Sequence, residues 1–458
     1  MKRMALLLVM ALVLSMTFSS CGVVWQFTEP ANAEELWDRI DKQMESLRSY
    51  SMELEADYNC KTEGLELTGE YIGNAVYVSD LFGNMKHVYE HAETTMKING
   101  EEYTTETLIA YDDGWMYVRN GLNEDRSSIR SEITQEDFED FMSEKESIDW
   151  SPEDAEKIEM LKNEDSTWEM TYSEFPEARK TKILDSFGFS KDTFDISADD
   201  VTIHVVADRW FRVTELSLEI FANSVKTPFV SVKATYGSFN RAKAEKINTN
   251  RFNEVDDARV VDLVYDKLRN VLFEDSGKIQ TSLKQRITYN SQSSEAYAHT
   301  ESDEITFANK DGSFSFRMVS DYNGISRTTE YRDGLWKIYS LTQMEQHERT
   351  DAEARSAILS IVNVGGYDKM YVRDIELIGN GKYRIVARMQ DVSRLEQIMK
   401  SLEDTYVGYD FYFVASIDDG ELASLEGKLI IHGVTYSYEL STVVSFDSSA
   451  GINKPSEI

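Results

Sequence analysis

Positive charge is scarce in this chain. Its 458 residues carry 48 lysines and arginines against 82 aspartates and glutamates, a formal net charge of −34. Nucleic acid is bound through clustered cations that displace counterions from phosphates, so this balance excludes that class of partner. It also argues against gripping anionic lipid headgroups. Cysteine is nearly absent, with Cys21 and Cys60 alone, so no disulfide framework holds the fold and the core must do so. Five prolines leave no material for a proline-rich stalk. The motifs of common enzyme chemistry are missing: there is no His-Glu-x-x-His, Gly-x-Ser-x-Gly, Cys-x-x-Cys, P-loop or dinucleotide fingerprint. Nothing in the residues points to an enzyme or to a cofactor.

Long apolar runs are missing too, except at the start. Lys2 and Arg3 precede an uncharged, nearly all-apolar stretch from Met4 to Phe18, followed by Ser19-Ser20-Cys21-Gly22. A basic start, a short apolar centre and small residues before a cleavage point make an export signal. The stretch is too short for a comfortable membrane span, which needs ~20 apolar residues. Ser19, Ser20 and Cys21 resemble the bacterial lipobox, although Phe18 stands where leucine is usual. The resemblance implies that Cys21 is the lipid-attachment residue and that the chain is held at the extracytoplasmic face of a cell membrane by acyl chains. Two or three chains hold a protein stably where one is marginal. Acylation of Cys21 would leave Cys60 alone, read as a buried, inert thiol at the end of the first strand.

Hydrophobic residues make up 41% of the chain, enough for a packed core, and the length suits two or three domains. The acid is uneven: residues 101–200 hold 29 acidic against 10 basic side chains. That excess reads as a solvated helical face. The sharper alternative is a docking surface for a basic protein partner, on the acidic face of residues 132–165, or for divalent cations.

Two halves of the chain echo each other. Leu36, Ile40, Met44 and Leu47 make one helical stripe, and Val261, Val264, Leu268 and Val271 make another. Hairpin signals follow: Asn99-Gly100 and Asp113-Gly114 in the first half, Asp311-Gly312 and Asp333-Gly334 in the second. Each half then predicts a helical segment (157–161; 374–378), a strand (168–172; 383–387) and a helix (176–187; 392–402). Each closes with long strands: 201–206, 213–221 and 228–236 in the first, 409–416, 425–432 and 435–446 in the second. The expected divisions are a signal peptide at 1–20, an anchor and tether at 21–33, a first module at 34–253 and a second at 254–458.

This order predicts an α+β architecture of two tandem curved antiparallel sheets, each with helices over its concave face. The opening run AEELWDRIDKQMESLRSYSMELEADYNC (33–60) and the close KINTN (246–250) resemble the Gram-positive lipoproteins related to LolA-type lipoprotein carriers. The mycobacterial lipid carriers of the LppX and LprG type share that fold. The resemblance implies a half-barrel over an apolar cavity and binding of a lipid or other apolar ligand. It implies no catalytic residue, and no ligand-binding residue can be carried over beyond the anchor Cys21.

Other candidates are thinner. His87 and His91 share one face of a strand or helix beside Glu90, but a metal site needs further ligands, so they read as exposed polar residues with no metal. Asp112-Asp113, Asp199-Asp200 and Asp418-Asp419 read as turn residues, not a catalytic pair. Met142, Met160, Met170, Met318, Met370 and Met389 read as core or as soft pocket lining.

Overall fold

The computed structural model describes residues 29–447 except 63–64, 81–84, 99, 124, 144–149, 187–197, 223–226, 292–294, 311–312, 341–342, 364–365, 390–391 and 419. Cys21, Asn99, the Asp311-Gly312 hairpin, Asp419 and the chain's two ends lie outside the described residues, as does the side chain of Cys60 in the first strand.

Strands β1 (Ser49–Thr62), β2 (Leu65–Ser79), β3 (Met85–Ile98), β4 (Glu101–Asp112), β5 (Trp115–Leu122) and β6 (Asp125–Glu132) form an antiparallel meander. A second meander follows: β7 (Lys157–Lys162), β8 (Trp168–Ser173), β9 (Ala198–Ala207), β10 (Val213–Ala222) and β11 (Val230–Gly237). Strand β11 returns to pair with β1. The short β12 (Asn253–Glu254) adds in parallel to β6, completing a sheet of 12 strands. The expected boundary between 253 and 254 falls inside β12.

The second sheet has 11 strands. Its first meander is β13 (Ser276–Tyr289), β14 (Glu295–Lys310), β15 (Ser313–Tyr322), β16 (Ile325–Arg332), β17 (Leu335–Tyr339) and β18 (Met344–Glu348). Its second is β19 (Val372–Gly379), β20 (Lys382–Ala387), β21 (Tyr406–Asp418), β22 (Glu421–Gly433) and β23 (Tyr436–Asp447), with β23 returning to β13. Helices fall at matching places: α1 (Ala33–Glu45) before β1 and α4 (Val260–Asn270) before β13; α2 (Gln135–Ser143) after β6 and α5 (Asp351–Val362) after β18; α3 (Glu177–Ser186) after β8 and α6 (Ser393–Ser401) after β20. Apart from β12, the two element orders agree strand for strand.

The helix-covered α+β architecture expected from the sequence is not what forms. The molecule is mostly β, with 59% strand and 19% helix in two large sheets that do not close into barrels. Length explains this. The longest described helix has 13 residues, or ~20 Å, whereas β14 with 16 residues runs to ~50 Å. The six α-helices among the described residues cover only parts of the two sheets. The segments 157–161 and 374–378, expected as helical, are strands β7 and β19. The three-residue spacing of Ile158 and Leu161 imitates a helical stripe, but β7 is the outermost strand and both side chains stand exposed.

Local chemistry explains much of the rest. Asn32 caps α1, accepting from the Glu35 N–H at 2.8 Å while Glu35 accepts from the Ala31 N–H at 2.8 Å. Thr350 and Glu353 form a reciprocal capping box on α5. Asp113-Gly114 and Asp333-Gly334 have positive φ at both residues, the twist that matches a two-residue hairpin. Among the described residues no helix is long and apolar enough to cross a membrane.

Each sheet has an inner face, the one that carries helices. In the first, Leu36 and Ile40 of α1 and Ile183 and Leu184 of α3 pack with Ala56, Met170, Ile203, Leu218 and Val232. A second core crosses the join between the sheets. It unites Val88, Met116 and Ile129 of the first sheet, Phe138 of α2, Val261 and Val264 of α4, and Ile279, Ile305, Ile375 and Phe413 of the second sheet.

Candidate functional site

Between these two cores, the inner face of the first sheet carries a strip across β1–β4. Strand pairing sets its composition. Tyr50 opposes Tyr77, Met52 opposes Ala75, Leu54 opposes Gly73 and Ala56 opposes Tyr71. One strand further, Tyr77 opposes Val88, Ala75 opposes Glu90, Gly73 opposes Ala92 and Tyr71 opposes Thr94. Glu90 in turn faces Ile109, and Ala92 faces Thr107. Met52, Leu54, Tyr71, Met96 and Ile98 lean on the first core, while Tyr77 and Ile109 lean on the core at the join. These side chains are half-buried, and Thr107 is exposed.

Four tyrosines gather here. The Tyr50 and Tyr77 rings stack with centroids 4.8 Å apart, and Tyr236 lies 6.1 Å from Tyr50. The Tyr77 hydroxyl donates to the Glu90 carboxylate. Tyr71 lies over Gly73, where an added Cβ would come within 2.9 Å of its ring, so a larger residue there would push the ring aside. Burial raises all four phenols above their ordinary value, and the Glu90 charge adds to the rise at Tyr50, Tyr71 and Tyr77. Tyr58, at the edge of the strip, is pushed up to about 12 by burial and then by Tyr71. All are neutral hydrogen-bonding groups at physiological pH.

The inner face of the second sheet is tighter and more polar. Thr281, Leu283, Glu301, Asp303, Thr442 and Val444 surround a cavity of about 40 Å³, room for a few waters at most. The Thr281 hydroxyl donates to Asp303 at 3.0 Å. Leu395 and Met399 of α6 close the next stretch against Leu429 and Ile431. A larger groove of about 430 Å³ lies outside, where Asp333, Gly334 and Leu335 face Glu348, Arg349, Thr350 and Glu353. Its walls are charged and open, unlike the apolar lining that holds a lipid tail.

The two histidines sit on the outer face of β3, not exposed as expected. His87 is buried: its Nδ1 lies 3.2 Å from Asp112 and its Nε2 accepts from the Glu245 N–H at 3.0 Å. His91 lies 3.4 Å from Glu106, which also accepts from Arg119 at 3.1 Å and pairs with Arg126 at 2.9 Å. Burial pulls the Glu106 carboxyl up, but Arg119, Arg126 and His91 together outweigh it and hold it below its ordinary value. Phe252, under the Arg119 guanidinium, helps cover this network. Among the described residues no cluster of His, Cys, Asp and Glu has the geometry to hold a metal ion.

The acidic segment 132–165 divides. Phe138 and Phe141 of α2 are core, Asp137 pairs with Arg259 at 3.4 Å, and Glu139 accepts from the Met85 N–H at 3.2 Å. Part of its charge is thus spent inside the molecule. Residues 144–149 are outside the described set. Asp113 forms a hairpin turn, whereas Asp199 and Asp200 lie in β9. Met170 and Met318 are core, and Met142, Met160, Met370 and Met389 are half-buried. The tyrosine strip was not found from the sequence, because only strand register brings Tyr50, Tyr77, Glu90 and Tyr236 together.

No family model matches the chain, and no curated protein matches it. Solved structures do show likeness. A domain provisionally named as an outer membrane lipoprotein-sorting protein from Vibrio parahaemolyticus is 10% identical, covering 42% of this chain and 94% of its own, with a TM-score of 0.16. A DUF1329 family protein from Desulfovibrio piger is 12% identical over 42% of this chain and 92% of its own, with a TM-score of 0.16. A porin-like protein from Bacteroides uniformis is 7% identical over 88% of this chain and 97% of its own, with a TM-score of 0.11. A lipoprotein-sorting domain is thus among the distant structural neighbours, at a distance that carries no argument about what this chain binds.

Proposed function

We propose that the chain is a membrane-anchored extracytoplasmic lipoprotein, acylated at Cys21, that holds an apolar ligand against the inner face of its first sheet. The observation that carries this reading is the half-buried strip of Tyr50, Met52, Leu54, Tyr71, Tyr77 and Met96, which lies between two closed cores. Half-exposed aromatics and methionines facing inward are an adaptable apolar surface. The second sheet, with its water-sized polar cavity, is a packed support in this reading.

Native mass spectrometry of the full chain carrying Cys21→Ser tests it. The expected result is a retained lipid-sized mass that is lost on denaturation and on Met52→Glu. A chain that stays unliganded when lipids are offered overturns the ligand reading. The anchor is tested separately: radiolabelled palmitate should enter the wild-type chain in a bacterial host and not the Cys21→Ser chain.

A second reading has its own support. Strand β7 ends the first sheet, with no strand beyond it among the described residues, and Leu161 on it is 57% exposed. Such an edge invites strand addition by a protein partner within the acidic 132–165 segment. A Leu161→Pro chain that loses a partner captured by the wild type, while keeping its lipid, would favour this use.

A further inference from the structure

Glu90 is a charge placed where the strip is otherwise apolar or neutral. It sits mid-strand on β3, with Ala75 opposite on one side and Ile109 on the other. Its described partner is the Tyr77 hydroxyl, and no described lysine, arginine or histidine pairs with it. Small residues surround it: Gly73, Ala75 and Ala92 leave the carboxylate unroofed by their own side chains. Aromatic rings gather beside it: Tyr77 reaches it through its hydroxyl, Tyr50 stacks on Tyr77 and Tyr236 lies beside Tyr50.

We infer that Glu90 and the Tyr50–Tyr77–Tyr236 group form a head-group site for a ligand bearing a positive charge, an amine or quaternary ammonium attached to an apolar body. This rests on the reading of the strip as a ligand face and names the class of ligand it takes. Three physical terms converge on a cation. A half-buried carboxylate gains most from an opposite charge in partly desolvated surroundings. Electron-rich ring faces attract ammonium groups and are neutral toward alcohols. An anionic head group would meet Glu90 directly and would be repelled. Met52, Leu54 and Met96 continue the strip toward the first core, so the apolar body has a surface to follow. The raised phenol values of Tyr50, Tyr71 and Tyr77 accord with the Glu90 carboxylate acting on all three rings.

The test uses three probes with the same tail, dodecyltrimethylammonium, dodecyl maltoside and dodecyl sulfate, below their micelle concentrations. Calorimetric titration is run on the full chain carrying Cys21→Ser. The ammonium probe should bind roughly tenfold tighter than the maltoside, and the sulfate weakest. Because the whole protein is acidic, Glu93→Gln serves as a control: it removes one charge from the exposed outer face of the same strand. Glu90→Gln should erase the ammonium margin and Glu93→Gln should leave it. Tyr50→Leu, which keeps the carboxylate, should reduce the margin several-fold, and serves if Glu90→Gln fails to fold. If all three probes bind alike, or Glu93→Gln acts as strongly as Glu90→Gln, the head-group site is overturned while the apolar strip stands. If no probe binds, both fall.

Discussion

The backbone N–H of Asp256 donates to the Ile375 carbonyl at 3.1 Å, while its neighbour Val255 donates to the Arg130 carbonyl at 2.8 Å. Two adjacent residues are therefore bonded to different sheets. The Asp256 carboxylate accepts from the Leu377 N–H at 2.5 Å, and the Ala258 N–H donates to the Ser131 hydroxyl at 2.9 Å. The segment between the sheets is a clamp, and the core around Val261 runs through the join. One cooperative thermal transition is expected for the wild-type chain. Val255→Pro removes the donor to Arg130 and should split the calorimetric transition into two. Two independent transitions in the wild type would show that the clamp does not couple the sheets.

Glu106 links stability to pH. Its folded form is held below the ordinary value of 4.5, so the charged carboxylate is favoured more in the folded than in the unfolded chain. That contribution is fully present above pH 4.5 and is lost as pH falls through the folded value. Glu439, held down by Arg286 and Lys428 against its burial, has the same sign. Urea midpoints should fall as pH drops below about 4.5. Glu106→Gln should lower stability at neutral pH by about 1–3 kcal/mol, since Arg119 and Arg126 lose a charged acceptor, and should flatten the acid limb. An unchanged acid limb would show that the Arg119–Glu106–His91 network does not contribute.

Phe138 of α2 is fully buried and stacks on Tyr111 at 4.7 Å. The Thr134 hydroxyl accepts from the Asp137 N–H at 3.1 Å, which fixes the helix start and the depth at which the ring inserts. Phe138→Ala should cost ~3–5 kcal/mol in chemical denaturation, because the surrounding core cannot collapse fully into the space. A loss under 1 kcal/mol would mean that α2 is not part of the load on the shared core.

Much of the β framework was legible in the sequence because its signals are local. The Asp-Gly pairs at 113–114 and 333–334 demand positive φ, and the closing strands alternate clearly from Val201 and from Tyr409. The stripes through Leu36 and Val261 became α1 and α4. Helices α2 and α5 escaped notice because acid and alanine hide their short apolar faces, Phe138 and Phe141 in one and Ala354 and Ile358 in the other. Strands β7 and β19 were misread because an edge strand need not alternate: Leu377 and Ile378 both stand half-exposed. The tyrosine strip was illegible for a different reason. Tyr50 and Tyr236 are 186 positions apart, and only the return of β11 to β1 makes them neighbours.

At the outer edge of the second sheet, beyond β21, a tight turn holds its strands in place. Gly381 has φ +63°, and a Cβ built there would stand 2.3 Å from the Ile417 carbonyl oxygen. The Ile417 N–H donates to the Gly381 carbonyl at 2.7 Å, so the turn between β19 and β20 is fastened to β21. Gly381→Ala meets two penalties at once, a left-handed backbone that L side chains disfavour and a backbone atom that cannot swing aside. A loss of about 2 kcal/mol or more is expected, roughly double the usual cost of leaving glycine at a left-handed turn. Asn380→Ala, next to it and without that steric demand, is the control and should cost under 1 kcal/mol. Hydrogen exchange should quicken in β19, β20 and the facing end of β21 for Gly381→Ala while β1 and β2 stay protected. Equal quickening across both sheets would mean that the turn is coupled through the clamp at Asp256, and would place the weakest unit of the fold at the join instead of at the β19–β20 edge.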